Sequence, residues 1–286
     1  MMSRHLDYYI QIDGNRQTYG SVLGCEATDA WYLYQYLTEI RQLKAAARSR
    51  PAMAADIPRK EKYFLLHALL QSMPPRVTRI TELGSSLLEI IDGLKTMRAV
   101  FSGEHAPSSS PRYSFLGIEK SKFLAEVSQL LHPNDDITLL PSADVLHQQF
   151  PHGCGGIVYD RIVSSSAFQD VSELAKFLGN FDAGILNLLT SREGSFISNF
   201  FGADYTYFSL AELDFHLPQK LFHLFGFRAP KHAELRSTGR QVIEGFFFFG
   251  EISRLQVFVG ECGKVSSIRE FFAEKEINPT PISALI

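Results

Sequence analysis

Acidic and hydroxyl residues close several short apolar runs of this sequence, where they would stand at the rim of a sheet. "ITELGSS" ends with Glu82, Gly84, Ser85 and Ser86, "FLGIEKS" with Glu119 and Lys120, "LLPSADVL" carries Asp144, and "YDRIVSSS" carries Asp160, Ser164 and Ser165. A carboxylate in the place of Glu119 can accept two hydrogen bonds from a vicinal diol, and one in the place of Asp144 can accept from an exocyclic amine. Gly84 can take positive φ and admit a ligand close to the backbone. Ser85 and Ser86 offer hydroxyls and N–H groups where a helix starts, an environment suited to a carboxylate. Each of these residues also has a plain structural role open to it, as turn glycine, helix cap or solvated acid. As an ordered set they point to one binding edge.

The elements that would position them follow from hydrophobic pattern. Strands are expected at Val77–Leu83, Tyr113–Ile118, Ile137–Leu140, Gly156–Val163 and Ala183–Leu189, with helices at Leu87–Phe101, Ser121–Leu131 and Val171–Leu178 between them. Strand–helix–strand repetition predicts an α/β fold with parallel strands, since each crossover returns the chain to the same sheet end. Ligands on such sheets bind beyond the carboxyl ends of the strands, at the switch point of the strand order. Leu221–Phe227 and Gln241–Glu251 read as two strands with no helix between them, hence an antiparallel finish. "EGFFFFGE" has four consecutive phenylalanines, which suit a strand inserted inside the sheet and covered on both faces.

Three regions are expected: a mostly helical segment 1–75, a sheet domain 76–251 and an extension 252–286 with a helix near Ser267–Lys275. Within the first, Asp13-Gly14 is a hairpin signal. A helix capped at Thr28 or Asp29 would bury Trp31, Tyr34, Leu37 and Ile40, and a second would run from about Lys60 to Met73. "SGEHAPSSSPR" reads as a surface insertion. The hydrophobic fraction of 45% and charged fraction of 21% belong to a globular chain with a full core, and the net charge of −3 opposes general nucleic-acid binding. Three separated cysteines and the opening "MMSRHLDYY", with no apolar run after it, suggest a reducing, cytoplasmic setting with free thiols. No stretch is long and apolar enough to span a membrane, and the nine histidines lack zinc-ligand spacing, so no metal is expected.

Five parallel strands with helices, then an antiparallel pair whose last strand is buried, resemble the class I S-adenosylmethionine-dependent methyltransferase superfamily. The family closes its first strand with E/D-x-G-x-G-x-G. Glu82 and Gly84 match the first two marked positions, and Ser86 and Leu88 stand in place of the later glycines. The resemblance spans about residues 76–251 and implies a Rossmann-like, seven-stranded, mostly parallel sheet with an antiparallel final strand. It also implies that Glu119 lies near the cofactor ribose hydroxyls and Asp144 near the adenine amino group. Glu82, Gly84, Ser85, Ser86, Lys120, Ser164, Ser165 and Tyr32 complete the implied cofactor set, with Tyr32 a candidate aromatic face over the sulfonium.

The activity implied is methyl transfer to a small molecule. The segment "SREGSFISNFFGADYTYFS" is long, aromatic and hydroxyl-rich, the character of a lid or pocket wall. Asp204, Tyr205 and Tyr207 there, with Ser165, are the groups able to orient an acceptor or take its proton. Two other readings stay open. One is non-methylating sulfonium chemistry, either aminocarboxypropyl transfer or cyclisation to a small-ring amino acid such as azetidine-2-carboxylate, releasing methylthioadenosine. The other is an inactive fold remnant serving as a binding subunit. The partners expected are a small-molecule acceptor, or none beyond the cofactor, with neither a membrane nor general nucleic acid.

Overall fold

In the computed structural model of this chain, the structure describes residues 9–12, 15–18, 25–26, 29–38, 79–102, 113–160, 168, 170–191, 197–200, 203–206, 208–218, 220, 222–228, 242–250 and 280–281. The expected second N-terminal helix, most of the serine-rich insertion, the helix near 267–275, Cys262, Ser164, Ser165 and Tyr207 lie outside them. β1 (Tyr9–Ile12) and β2 (Asn15–Thr18) pair antiparallel, with Ile12 opposite Asn15. Residues 29–38 form helix α1.

The main body alternates β3 (Arg79–Leu83), α2 (Glu89–Ser102), β4 (Ser114–Ile118), α3 (Lys122–Leu131), β5 (Asp136–Leu140), α4 (Ala143–Gln149), β6 (Ile157–Asp160), α5 (Val171–Leu178) and β7 (Ala183–Ser191). After β7 come β8 (Ile197–Phe200), β9 (Ala203–Thr206), β10 (Phe208–Ser209), α6 (Leu210–His216), β11 (Phe222–Arg228), β12 (Val242–Phe249) and β13 (Thr280–Pro281). The sheet order is β13-β11-β12-β7-β6-β3-β4-β5, and β10 adds to β7. The sheet therefore holds nine strands among the described residues, against the seven expected, and β10 and β13 are two-residue additions. β3 to β7 run parallel. β12 is antiparallel to both neighbours, β7 and β11, and lies inside the sheet.

Side chains alternate between two cores, as a strand's two-residue period requires. Leu83, Leu116, Ile118, Val158, Leu186 and Leu188 face one, where Leu146 of α4, Leu174 and Phe177 of α5 and Leu213 of α6 cover the sheet. Ile80, Phe115, Ile157, Tyr159 and Ile185 face the other, covered by Ile90, Ile91 and Leu94 of α2. Helices on both faces explain why strands so apolar are stable. Three of the four consecutive phenylalanines obey the same rule: Phe247 and Phe249 enter the first core and Phe248 the second, all within 1% exposure. Phe249 packs over Gly184, its register partner on β7, where an added Cβ would stand 2.6 Å from the Phe249 ring.

Cys25 and Cys154 are free thiols; burial, then the nearby charge of Asp29, pushes the Cys25 thiol up. No helix among the described residues is long and apolar enough to cross a membrane.

Candidate functional site

β3 is the switch point of the sheet. The chain proceeds from it to β4 and β5 on one side, then returns to β6 and β7 on the other, opening a crevice at the strands' carboxyl ends. Into that crevice the segment after β3 puts three left-handed residues: Gly84 at φ 66°, Ser86 at φ 47° and Leu88 at φ 53°. The last two are not glycines, so the turn stores strain of the kind that accompanies ligand-binding loops. Its course is fixed by Ser85 N–H donating to Ile118 O at 3.1 Å and Leu88 N–H to Ser85 O at 2.8 Å. On the far side, His132 Nε2 lies 3.1 Å from Leu87 O.

Glu119 closes β4 beside this loop. Its Oε2 accepts the Ser86 N–H at 2.8 Å, and its Oε1 accepts the Ser121 N–H at 2.9 Å. Ser121 is the N-cap of α3 and accepts from Leu124 N–H at 3.2 Å, so the Glu119 carboxylate is pinned between a loop and a helix start. Each carboxylate oxygen retains a further acceptor position. Two adjacent acceptors on a half-buried carboxylate fit a vicinal diol, so the residues present fit the ribose of the implied cofactor.

The hydroxyls behave differently from each other. Ser85 is wholly buried, and a Cβ on Gly117 of β4 would stand 2.6 Å from its Oγ, so this side chain lies down on β4. Ser86 is 2% exposed, and neither serine Oγ has a hydrogen-bond partner among the described residues. Glu82 is buried at the next-to-last position of β3. Lys120 is exposed, and Asp144 is exposed in the first turn of α4, behind an N-cap Ser142 whose side chain makes no capping bond.

α1 docks onto this junction by a face that hydrophobic spacing did not mark. Asp29 accepts the Ser121 hydroxyl at 2.7 Å, and seven residues on, the Tyr36 hydroxyl donates to Asp92 Oδ2 at 2.6 Å. Ala30 and Tyr36 are buried and Leu37 is 42% exposed, so Leu37 departs from the expected buried face, while Trp31 and Tyr34 are half-buried and Ile40 lies outside the described residues. Trp31 and Tyr34 stack on each other at 6.2 Å. Tyr32, half-buried, lies between the two anchors.

The excursion after β7 leaves from its carboxyl end at Ser191 and returns through β10, which pairs parallel with Thr190 and Ser191. β3, β4 and β7 share one direction, so the excursion starts and ends at the same end of the sheet as Glu119. Asp204 and Tyr205 lie on β9, opposite Asn199 and Ser198 of β8. Among the described residues, no group of His, Cys, Asp and Glu is placed to hold a metal ion.

No family model matches the sequence, and no curated protein sequence matches it. Similar solved structures include the N-terminal domain of EvdMO1 with SAH bound, at 13% identity over 71% of this chain and 81% of that one, with a TM-score of 0.44. A putative S-adenosylmethionine-dependent methyltransferase from Listeria monocytogenes is 11% identical over 65% of this chain and 98% of its own, with a TM-score of 0.37. Streptomyces venezuelae DesVI is 11% identical over 74% and 97%, with a TM-score of 0.39. The fold itself is written in the sheet. It is a Rossmann-like sheet of parallel strands with an antiparallel strand set inside it.

Proposed function

We propose that the chain binds S-adenosylmethionine at the carboxyl ends of β3 and β4 and transfers its methyl group to a small-molecule acceptor. The observation that carries this reading is the Glu119 carboxylate, held at the switch point by two backbone N–H groups with acceptor positions left for a diol. Gly84 gives the backbone its turn beside it, and Ser86 offers a buried hydroxyl there. Asp144, Ser164, Ser165 and Lys120 complete the cofactor set in this reading, and Tyr32 on α1 supplies an aromatic face. When bound, the cofactor supplies a methyl group already activated by the sulfonium, so the protein's task is alignment and removal of a proton. Asp204, Tyr205 and Tyr207, on the excursion that leaves and rejoins the carboxyl end of β7, are assigned those tasks, with Ser165.

Calorimetry with S-adenosylmethionine and S-adenosylhomocysteine tests the reading: binding of both is expected, and binding of neither at millimolar concentration leaves only a non-catalytic subunit. A second reading, attack at another carbon of the sulfonium, is favoured by the side chains that Ser86 and Leu88 carry where the motif has glycine. Incubation with S-adenosylmethionine alone separates the two. Methylthioadenosine with a four-carbon amino-acid product indicates the second chemistry, whereas an intact cofactor indicates a methyl donor awaiting its acceptor.

A further inference from the structure

We propose that Asp29 is a positioning residue for diol recognition, acting through Ser121 on Glu119; the proposal rests on the cofactor reading above. Ser121 spends both of its protons on carboxylates. Its hydroxyl donates to Asp29 Oδ2 at 2.7 Å and its backbone N–H to Glu119 Oε1 at 2.9 Å. One of the two hydroxyl acceptor positions takes the Leu124 N–H at 3.2 Å. With its hydroxyl both donating and accepting, the Ser121 side chain is held at the cap, and the residue that supplies one of the two clamps on the Glu119 carboxylate is fixed in place. The other clamp, the Ser86 N–H, comes from a separate loop. Both must hold for the two free acceptor positions to stay side by side. Removing Asp29 frees the Ser121 hydroxyl and loosens one clamp while leaving the other in place.

The competing explanation is that Asp29 merely docks α1. The second anchor of the same helix separates the two, because Tyr36 bonds to Asp92 at 2.6 Å, two turns along α1 from Asp29. A docking defect at either end should then disturb every ligand alike, whereas loss of the Ser121 link should disturb only ligands with a diol.

The test is calorimetry with S-adenosylhomocysteine and its 2′,3′-dideoxy analogue, on wild type, Asp29→Ala, Asp29→Asn, Ser121→Ala, the Asp29→Ala/Ser121→Ala double variant and Tyr36→Phe. Asp29→Ala is expected to weaken S-adenosylhomocysteine about tenfold, the scale of one charge-assisted hydrogen bond, and to leave the dideoxy analogue unchanged. Asp29→Asn, which keeps an acceptor for the Ser121 hydroxyl, should recover most of the loss. The double variant should bind like Ser121→Ala alone, since one link is removed once. Tyr36→Phe should weaken both ligands equally or neither. Equal weakening of both ligands by Asp29→Ala, or no weakening, overturns the proposal while the cofactor reading stands. Should Asp29→Ala not fold, the same ligand contrast is read from Ser121→Ala, with the same two outcomes deciding. Failure of the wild type to bind either ligand overturns the cofactor reading, and the proposal with it.

Discussion

The Ser86 N–H and Glu119 Oε2 stand 2.8 Å apart, tying the strained loop after β3 to the end of β4 across the switch point of the sheet. Substituting Glu119 therefore touches both binding and structure. Glu119→Ala is expected to weaken S-adenosylmethionine binding by about 1–3 kcal/mol, the scale of lost charged hydrogen bonds. Glu119→Gln should not rescue it, because one amide NH2 would face the N–H of Ser86 or of Ser121. Calorimetry on the folded variants reads both outcomes.

Gly117 has no room for a side chain. A Cβ there would stand 2.6 Å from Ser85 Oγ and 2.7 Å from Leu139 Cδ2. Gly117→Ala should lower stability by about 1–3 kcal/mol through overpacking, and Ser85→Gly in the same chain should restore a good part of it. Urea midpoints of the single and double variants check this.

At Ser86 the backbone is left-handed at φ 47° and the hydroxyl is buried without a partner among the described residues. Ser86→Gly should raise stability by about 0.5–1 kcal/mol, since glycine adopts this conformation freely. Affinity for S-adenosylmethionine should fall, because the hydroxyl assigned to the cofactor is gone. A melting curve and a titration on one preparation give both answers.

Tyr36 anchors the far end of α1. Burial, then its hydrogen bond to Asp92, pushes its hydroxyl far above the usual tyrosine range, so it stays a donor at any working pH. Tyr36→Phe should cost about 1–2 kcal/mol, read as faster proteolysis within 1–75 and a lower unfolding midpoint.

His132 gives the fold an acid sensitivity. It is 4% exposed, and burial holds its imidazole below the ordinary histidine pKa, against the raising pull of Asp92. The unfolded chain, with histidine near about 6.5, then binds more protons than the folded chain. Stability is thus complete above about pH 6.5 and declines as pH falls toward the lowered folded value. His147, lowered chiefly by burial too, adds in the same direction. His132→Gln should flatten the decline in urea midpoint between about pH 7 and pH 5.

Much of the sheet was legible because β3 to β7 are buried on both faces and write themselves as apolar runs closed by polar residues. Glu119 was legible for the same reason, since a strand-end acid followed by a serine cap is a local pattern. The α1 docking face was not, because its anchors are polar. Asp29 and Tyr36 bond to Ser121 and Asp92, and hydrophobic periodicity is blind to such pairs. α4, at seven residues, is too short to show a period. β8 and β9 are four residues each and pair only with each other among the described residues, too short to stand out from the surrounding aromatic segment. Ser85 resisted for another reason: only the missing side chain of Gly117, on a different strand, shows that its hydroxyl lies on the sheet.

The place of β12 bears on how the chain comes off the ribosome. Its neighbours β7 and β11 are both made first, yet neither pairs with the other in the finished sheet. Until Val242–Phe249 emerge, the inner edge of β7 carries unsatisfied hydrogen-bonding groups, and the slot over Gly184 that Phe249 fills stays open. Vectorial synthesis therefore passes through a stage in which the parallel half of the sheet is complete and sticky at one edge. A stall or truncation between β11 and β12 would favour capture by chaperones over folding, and a peptide spanning 242–249 supplied in trans is the natural way to close the gap.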